Sequence, residues 1–147
     1  MGTTSYEGDV IAWSREQAES LRAGNFSQLD IEHLADEIED VGKSEQRELA
    51  SRMVILLVHL LKWQHQHDRR SRSWLDTIDG QRKAILRRVT RTPSLKATLR
   101  DADWRDDTWA DARLAAIAES GLDGGHFPET CPWQQEDVLT AGWLPGE

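Results

Sequence analysis

Apolar residues recur at steps of three and four along most of the chain, which is the spacing of one face of an α-helix. The first stripe comprises Tyr6, Val10, Trp13, Gln17 and Leu21. It predicts a helix of about four turns, since residues that share one face recur every three to four positions. Gly24 and Asn25 follow the stripe and are expected to end this helix.

The second segment opens with Asp30, a residue type that caps helix N-termini. Its apolar positions are Ile31, Leu34, Ile38, Val41, Leu49, Met53, Leu56, Leu60 and Trp63. They predict one long helix, in which Gly42 is the position where a bend or break would cost least. In residues 53–61 every side chain except His59 is apolar, so this stretch is expected to form the centre of the core.

Two further helical segments follow the second one. Ser71 or Ser73 can cap a third helix that ends near Arg91, with Trp74, Ile78, Ile85 and Val89 as its apolar stripe. A fourth helical region is expected over residues 94–120, stopped by Gly121. Its acidic stretch at residues 101–107 is a candidate for a break.

Residues 122–147 contain three of the four prolines, which predicts an irregular tail with one helical turn at residues 134–139. Phe127, Trp133 and Trp143 are expected to pack this tail across the helices. No segment shows the period-two alternation of a strand. The sequence therefore predicts an all-α, four-helix-type bundle with one long central helix, in a single domain made of a helical bundle (1–121) and a tail (122–147).

Charge is distributed unevenly, although the chain as a whole carries a formal charge of −8. Residues 1–68 hold 6 basic and 13 acidic side chains, residues 69–100 hold 10 and 2, and residues 101–147 hold 2 and 11. The basic segment 69–100 could bind a phosphate backbone through a surface formed by Lys83, Arg87, Arg88 and Arg91. The negative total favours a solvated cationic face over a nucleic-acid interface.

Arg82 falls on the apolar stripe of the third helix, so it is expected to point inward and to need acceptors. The second helix offers a polar line with a period of seven residues, namely Glu45, Arg52, His59 and Gln66, with Glu37 beside it. We therefore predict a buried polar cluster of Glu37, Glu45, Arg52, His59 and Arg82. A role in fixing helix register is favoured over a ligand site or catalysis, because most buried polar groups are simply hydrogen-bonded.

Other patterns give little support to enzyme chemistry. His33 and Glu37 are four residues apart, but the Glu-x-x-His pairs of di-iron bundles do not occur, so neither a metal nor another cofactor is expected. Cys131 has His126 five residues upstream in the same loop, an arrangement more typical of a plain loop cysteine than of a nucleophile. The phosphate-loop, dinucleotide-binding, nucleophile-elbow and zinc-protease motifs are absent from the sequence.

The chain is expected to lie in the cytoplasm without a membrane partner. Its first nine residues lack the basic and apolar regions of a signal peptide, and the longest apolar run is about half of the ~20 residues that a membrane span needs. The single cysteine excludes an intrachain disulfide.

Several short motifs occur in a fixed order along the chain: His59-Leu60-Leu61-Lys62-Trp63-Gln64, Arg70-Ser71-Arg72-Ser73-Trp74, Gln81-Arg82, Pro93-Ser94-Leu95 and Phe127-Pro128-Glu129-Thr130-Cys131-Pro132. With this set the sequence resembles the bacterial domain of unknown function 29 family over nearly its whole length. The resemblance implies a bacterial helical protein and assigns it no activity.

Three functions follow from these patterns. The first is a non-enzymatic interaction module that binds a protein partner or forms a homodimer, favoured by the charge segregation and the lack of a catalytic motif. The second is association with nucleic acid through residues 69–100. The third is a ligand binder or enzyme that uses the buried polar cluster.

Overall fold

The computed structural model describes residues 4–146, which contain six α-helices and no strand. The helices are α1 (Val10–Ala23), α2 (Ile31–His65), α3 (Arg72–Arg91), α4 (Leu95–Arg100), α5 (Ala102–Ser120) and α6 (Gln135–Leu139). Helix α2 alone has 35 residues and is continuous through Gly42. The all-α class with one long helix is therefore confirmed.

The chain divides into two compact units, one that ends at Ser44 and one that begins at Glu45. The boundary falls within α2, two residues after Gly42. A Cβ atom at Gly42 would meet no atom within 4 Å, so no close approach of another group requires this glycine. The expectation of a single domain stays a prediction.

Capping residues fix the helix ends in the first unit. Asp9 accepts a hydrogen bond from the backbone N–H of Ala12 at the start of α1, and Gly24 ends the helix with a φ of 75°, a conformation that favours glycine. The Asp30 carboxylate accepts from the backbone N–H of His33 at 3.4 Å. Asp30 therefore caps α2, as the sequence predicts.

The core of the second unit forms around the second half of α2. Leu49, Leu56, Leu60 and Leu61 are fully buried there, and α3 adds buried apolar residues to the same cluster. Within residues 53–61, Ile55 is the apolar exception that stays exposed. The predicted central position of this stretch is confirmed, because its other apolar side chains all belong to the core or pack against it.

Serine and aspartate caps fix the helices that follow. The Ser71 hydroxyl accepts from the N–H of Trp74 at the start of α3. Asp101 ends α4 and also caps α5, where its carboxylate accepts from the N–H of Trp104 at 2.8 Å. The predicted break in the fourth helical region is thus confirmed at its first acidic residue.

The C-terminal tail packs on the core of the second unit. Phe127 and Val138 are buried, and Trp133 and Trp143 are partly buried against the same cluster. Trp133 meets Trp109 edge to face with ring centroids 5.6 Å apart. The predicted packing of the tail through its aromatic residues is confirmed.

Candidate functional site

Arg82 is buried on α3 and fastens the tail. Its Nε donates to the carbonyl oxygen of Val138 at 2.8 Å, and its Nη2 donates to that of Trp143 at 2.6 Å. Burial lowers the pKa of the Arg82 guanidinium. The inward orientation predicted for Arg82 is therefore confirmed, and its acceptors are backbone carbonyls of the tail.

The predicted common network of five polar residues is wrong, since the structure gives these residues separate partners. Glu37 accepts from the Tyr6 hydroxyl, and His59 Nδ1 donates to the Ile55 carbonyl at 2.8 Å. Glu45 and Arg52 do belong to one group of ion pairs, which lies at the surface.

This group of ion pairs joins α2 to α3. Arg88 donates to Glu45 at 3.1 Å and lies 3.3 Å from Glu48, and Glu48 lies 3.2 Å from Arg52. All four side chains are only partly buried. Solvent screens such pairs, so the group contributes little to stability.

Three of the four residues of the predicted basic surface are exposed on α3. Lys83, Arg87 and Arg91 are exposed, which confirms that they face away from the core, whereas Arg88 is half-buried between the glutamates of α2. Lys83 pairs with Asp79 at 2.9 Å. Arg87 and Arg91 form no ion pair with any residue in 4–146.

A second polar network, absent from the sequence prediction, lies in the first unit. The Asp30 carboxylate accepts from Trp13 Nε1 at 3.0 Å and from His33 Nδ1 at 2.7 Å. The other ring nitrogen of His33 lies 3.1 Å from the Glu7 carboxylate, and the Tyr6 ring stacks on the imidazole. The only sequence signal for it is the spacing of three residues between Asp30 and His33, because Glu7, Tyr6 and Trp13 are distant along the chain.

The two carboxylates favour the charged form of His33. The hydrogen bond to Asp30 raises the pKa of His33 above its ordinary value of 6.5, whereas desolvation lowers the pKa of His65 in the second unit. The hydrogen bond from Tyr6 to Glu37 raises the pKa of Tyr6 to about 12. We call this network of Asp30, His33, Glu7, Tyr6 and Trp13 the His33 array. It favours the protonated imidazole and borders a mostly polar cleft of about 400 Å³.

We expect His33 and His65 to titrate on opposite sides of 6.5. The raised pKa of His33 means that its contribution to folding stability is present below the unfolded value and lost as pH rises through the folded pKa. The measurement is an NMR titration of the imidazole Cε1–H signals. Asp30→Asn should lower the pKa of His33 and leave the pKa of His65 unchanged. A pKa of His33 below that of His65 in the parent protein would contradict the expectation.

Exposed apolar side chains on α2 provide the clearest feature of the first unit. Ile31, Ile38 and Val41 are 68%, 72% and 69% exposed. We call these three residues the α2 face. The sequence places them on the apolar stripe of α2, but the structure leaves this part of the stripe exposed.

The α2 face is exposed because the first unit covers a different side of α2. Asp30, His33 and Glu37 contact Trp13 and Tyr6, so these positions face α1 and the segment before it. Ile31 and Ile38 each follow one of those residues and therefore lie about 100° further around the helix. No other segment of the first unit covers that side among its described residues.

Acidic side chains lie on one flank of the α2 face. Glu32, Asp36, Glu39 and Asp40 are exposed, and at 100° per residue they all fall on the same side of Ile31 and Ile38. Residues 1–44 as a whole hold 10 acidic and 3 basic side chains. Seven of the ten large apolar side chains that are exposed in residues 4–146 lie between Val10 and Val41, so the apolar exposure is concentrated in this unit.

Other candidate chemistry gains no support. Desolvation raises the pKa of the Cys131 thiol, which disfavours the reactive thiolate, and the adjoining apolar cavity measures only about 40 Å³. Within residues 4–146, no three His, Cys, Asp or Glu side chains are grouped in a way that would hold a metal ion. Nor does any helix in that range combine the length and apolarity needed to cross a membrane.

The fold and these surfaces define an all-helical protein with an exposed apolar helix face that acidic side chains flank on one side. The chain belongs to the family described as domain of unknown function DUF29, whose model matches residues 5–144. No curated protein and no solved structure matches it.

Proposed function

We propose that this protein is a helical interaction module that binds a basic amphipathic helix of a partner protein on the α2 face. The observation that carries the proposal is the exposure of Ile31, Ile38 and Val41. Their spacing of seven and three residues is the spacing by which amphipathic helices are recognised. An apolar stripe of this kind on a surface helix is typical of a protein contact.

Burial of the α2 face supplies the attraction. Fully burying an Ile or Val side chain contributes about 1.5–3 kcal/mol relative to leaving it exposed. Three such side chains would contribute several kcal/mol against the cost of association, so the apolar contact decides whether binding occurs.

Charge decides which partner fits. Because Glu32, Asp36, Glu39 and Asp40 flank the α2 face on one side, a second copy placed on the same surface would add four more carboxylates to this acidic unit. A helix whose apolar stripe is bordered by Lys or Arg would instead pair with these carboxylates. The surface therefore favours a basic partner over a homodimer formed through this face.

Two synthetic peptides test the proposal. One is an amphipathic leucine–lysine helix of about five turns, and the other has the same apolar pattern with Glu at every Lys position. Fluorescence anisotropy should show saturable binding of the lysine peptide and none of the glutamate peptide. The variant I31S/I38S/V41S keeps all acidic side chains and should bind the lysine peptide at least about a hundredfold more weakly, from the lost apolar burial.

Leu114→Ser provides the matched control, because Leu114 is 64% exposed on α5 in the other unit. This variant should bind like the parent protein. Equal binding by I31S/I38S/V41S and the parent would show that the acidic charges alone attract the peptide and would refute the proposal. Sedimentation of the parent as a dimer that the triple variant dissociates would identify a second copy as the occupant instead.

A further inference from the structure

A groove lined by arginines lies between the middle of α2 and the C-terminal half of α3, and it shares no residue with the α2 face. It has a volume of about 310 Å³ and is lined by Glu45, Arg52, Ala84, Arg87, Arg88, Arg91 and Thr92. That volume lies at the lower end of the range of small-molecule sites, about 300–1,000 Å³. Every lining residue belongs to the second unit.

The groove carries more positive charge than its own ion pairs neutralise. Arg88 is paired with Glu45 and Glu48, and Arg52 is paired with Glu48. Arg87 and Arg91 remain without an acidic partner in residues 4–146. Four guanidinium groups thus face two carboxylates, which leaves an excess of two positive charges.

The exposed donors of the groove belong to Arg87 and Arg91. Arg52 Nε also has no hydrogen-bond partner among the described residues, but it is closed to solvent and therefore does not reach an anion in the groove. Arg87 and Arg91 are four residues apart on α3 and therefore neighbours on the helix surface.

We infer that this groove binds a small soluble anion that carries a diphosphate group. Guanidinium groups donate paired hydrogen bonds in a planar fork that matches phosphate oxygens, and two unpaired arginines match a ligand with two or more negative charges. Glu45 in the wall and the net charge of −8 disfavour a long polyanion such as nucleic acid. The site is independent of the α2 face and of its proposed partner.

Isothermal titration of the protein with inorganic pyrophosphate at constant ionic strength tests the inference. The expected result is saturable binding at one site. Arg87 and Arg91 are exposed, so R87Q/R91Q should fold normally and bind pyrophosphate at least about tenfold more weakly, because it loses hydrogen bonds to charged groups. Arg72→Gln is the matched control, since Arg72 lies on the same helix outside the groove and pairs with Asp76.

Three outcomes would overturn the inference. The first is no saturable binding of pyrophosphate. The second is equal weakening by R72Q and R87Q/R91Q, which would indicate general attraction to a basic surface. The third is a single-stranded oligonucleotide that binds more tightly than pyrophosphate and displaces it. If Arg87 and Arg91 serve only to offset the helix dipole at the end of α3, R87Q/R91Q should unfold at a different temperature from the parent protein. The parent protein should then not bind pyrophosphate.

Discussion

Phe127→Ala should lower the free energy of unfolding by about 3–5 kcal/mol, the usual cost of truncating a buried aromatic side chain. Phe127 is 2% exposed, and its ring packs edge to face on His65 of α2 with centroids 5.0 Å apart. Its removal leaves a cavity where the tail meets the core. Urea denaturation followed by circular dichroism at the helix signal measures the change.

The chain contains a matched control in its other phenylalanine. Phe26 is 65% exposed, so Phe26→Ala should change the free energy of unfolding by no more than about 0.5 kcal/mol. Equal effects of the two substitutions would contradict the packing of the tail described above.

Arg82→Met should destabilise the protein by about 2–5 kcal/mol and loosen the tail. The methionine keeps much of the apolar stem, but the carbonyl oxygens of Val138 and Trp143 lose their donors. Each buried polar group left without a partner costs about 1–3 kcal/mol. Hydrogen exchange of the amides after residue 134 should become faster than in the parent protein, in addition to the loss of stability.

Lys83→Met separates this effect from a loss of positive charge, because Lys83 is exposed on the same helix. It should leave both unfolding and exchange nearly unchanged. If Arg82→Met proves as stable as the parent and its tail amides stay protected, the two hydrogen bonds do not hold the tail.

Helix boundaries were predictable from sequence because local chemistry determines them. Ser71 and Asp101 each bond an N–H three residues ahead, and Gly24 adopts a conformation that other residues avoid. The buried half of α2 was predictable because its apolar side chains surround the helix.

The partners of the inward residues were not predictable in the same way. The sequence indicates that Arg82 faces the core, but its acceptors are backbone carbonyls, which every residue carries and no pattern marks. Periodicity likewise identifies the apolar side of α2 without showing what covers it. For this reason the pattern does not show that Ile31 and Ile38, on the apolar side of α2, lie in solvent.

The His33 array depends on residues that meet only after folding. Asp30 is only three residues from His33, but Glu7, Tyr6 and Trp13 come from α1 and the segment before it. The spacing of four residues along α2 indicates a pair between His33 and Glu37. In the folded first unit, Glu37 instead accepts a hydrogen bond from the Tyr6 hydroxyl.

The distribution of tryptophan makes the two units spectroscopically unequal. Trp13 is the single tryptophan before residue 45, and the other six follow it. Indole emission of the whole protein is thus dominated by the second unit. Loss of structure confined to the first unit would leave most of that emission in place. The difference spectrum between the parent protein and Trp13→Phe would isolate the emission of the first unit.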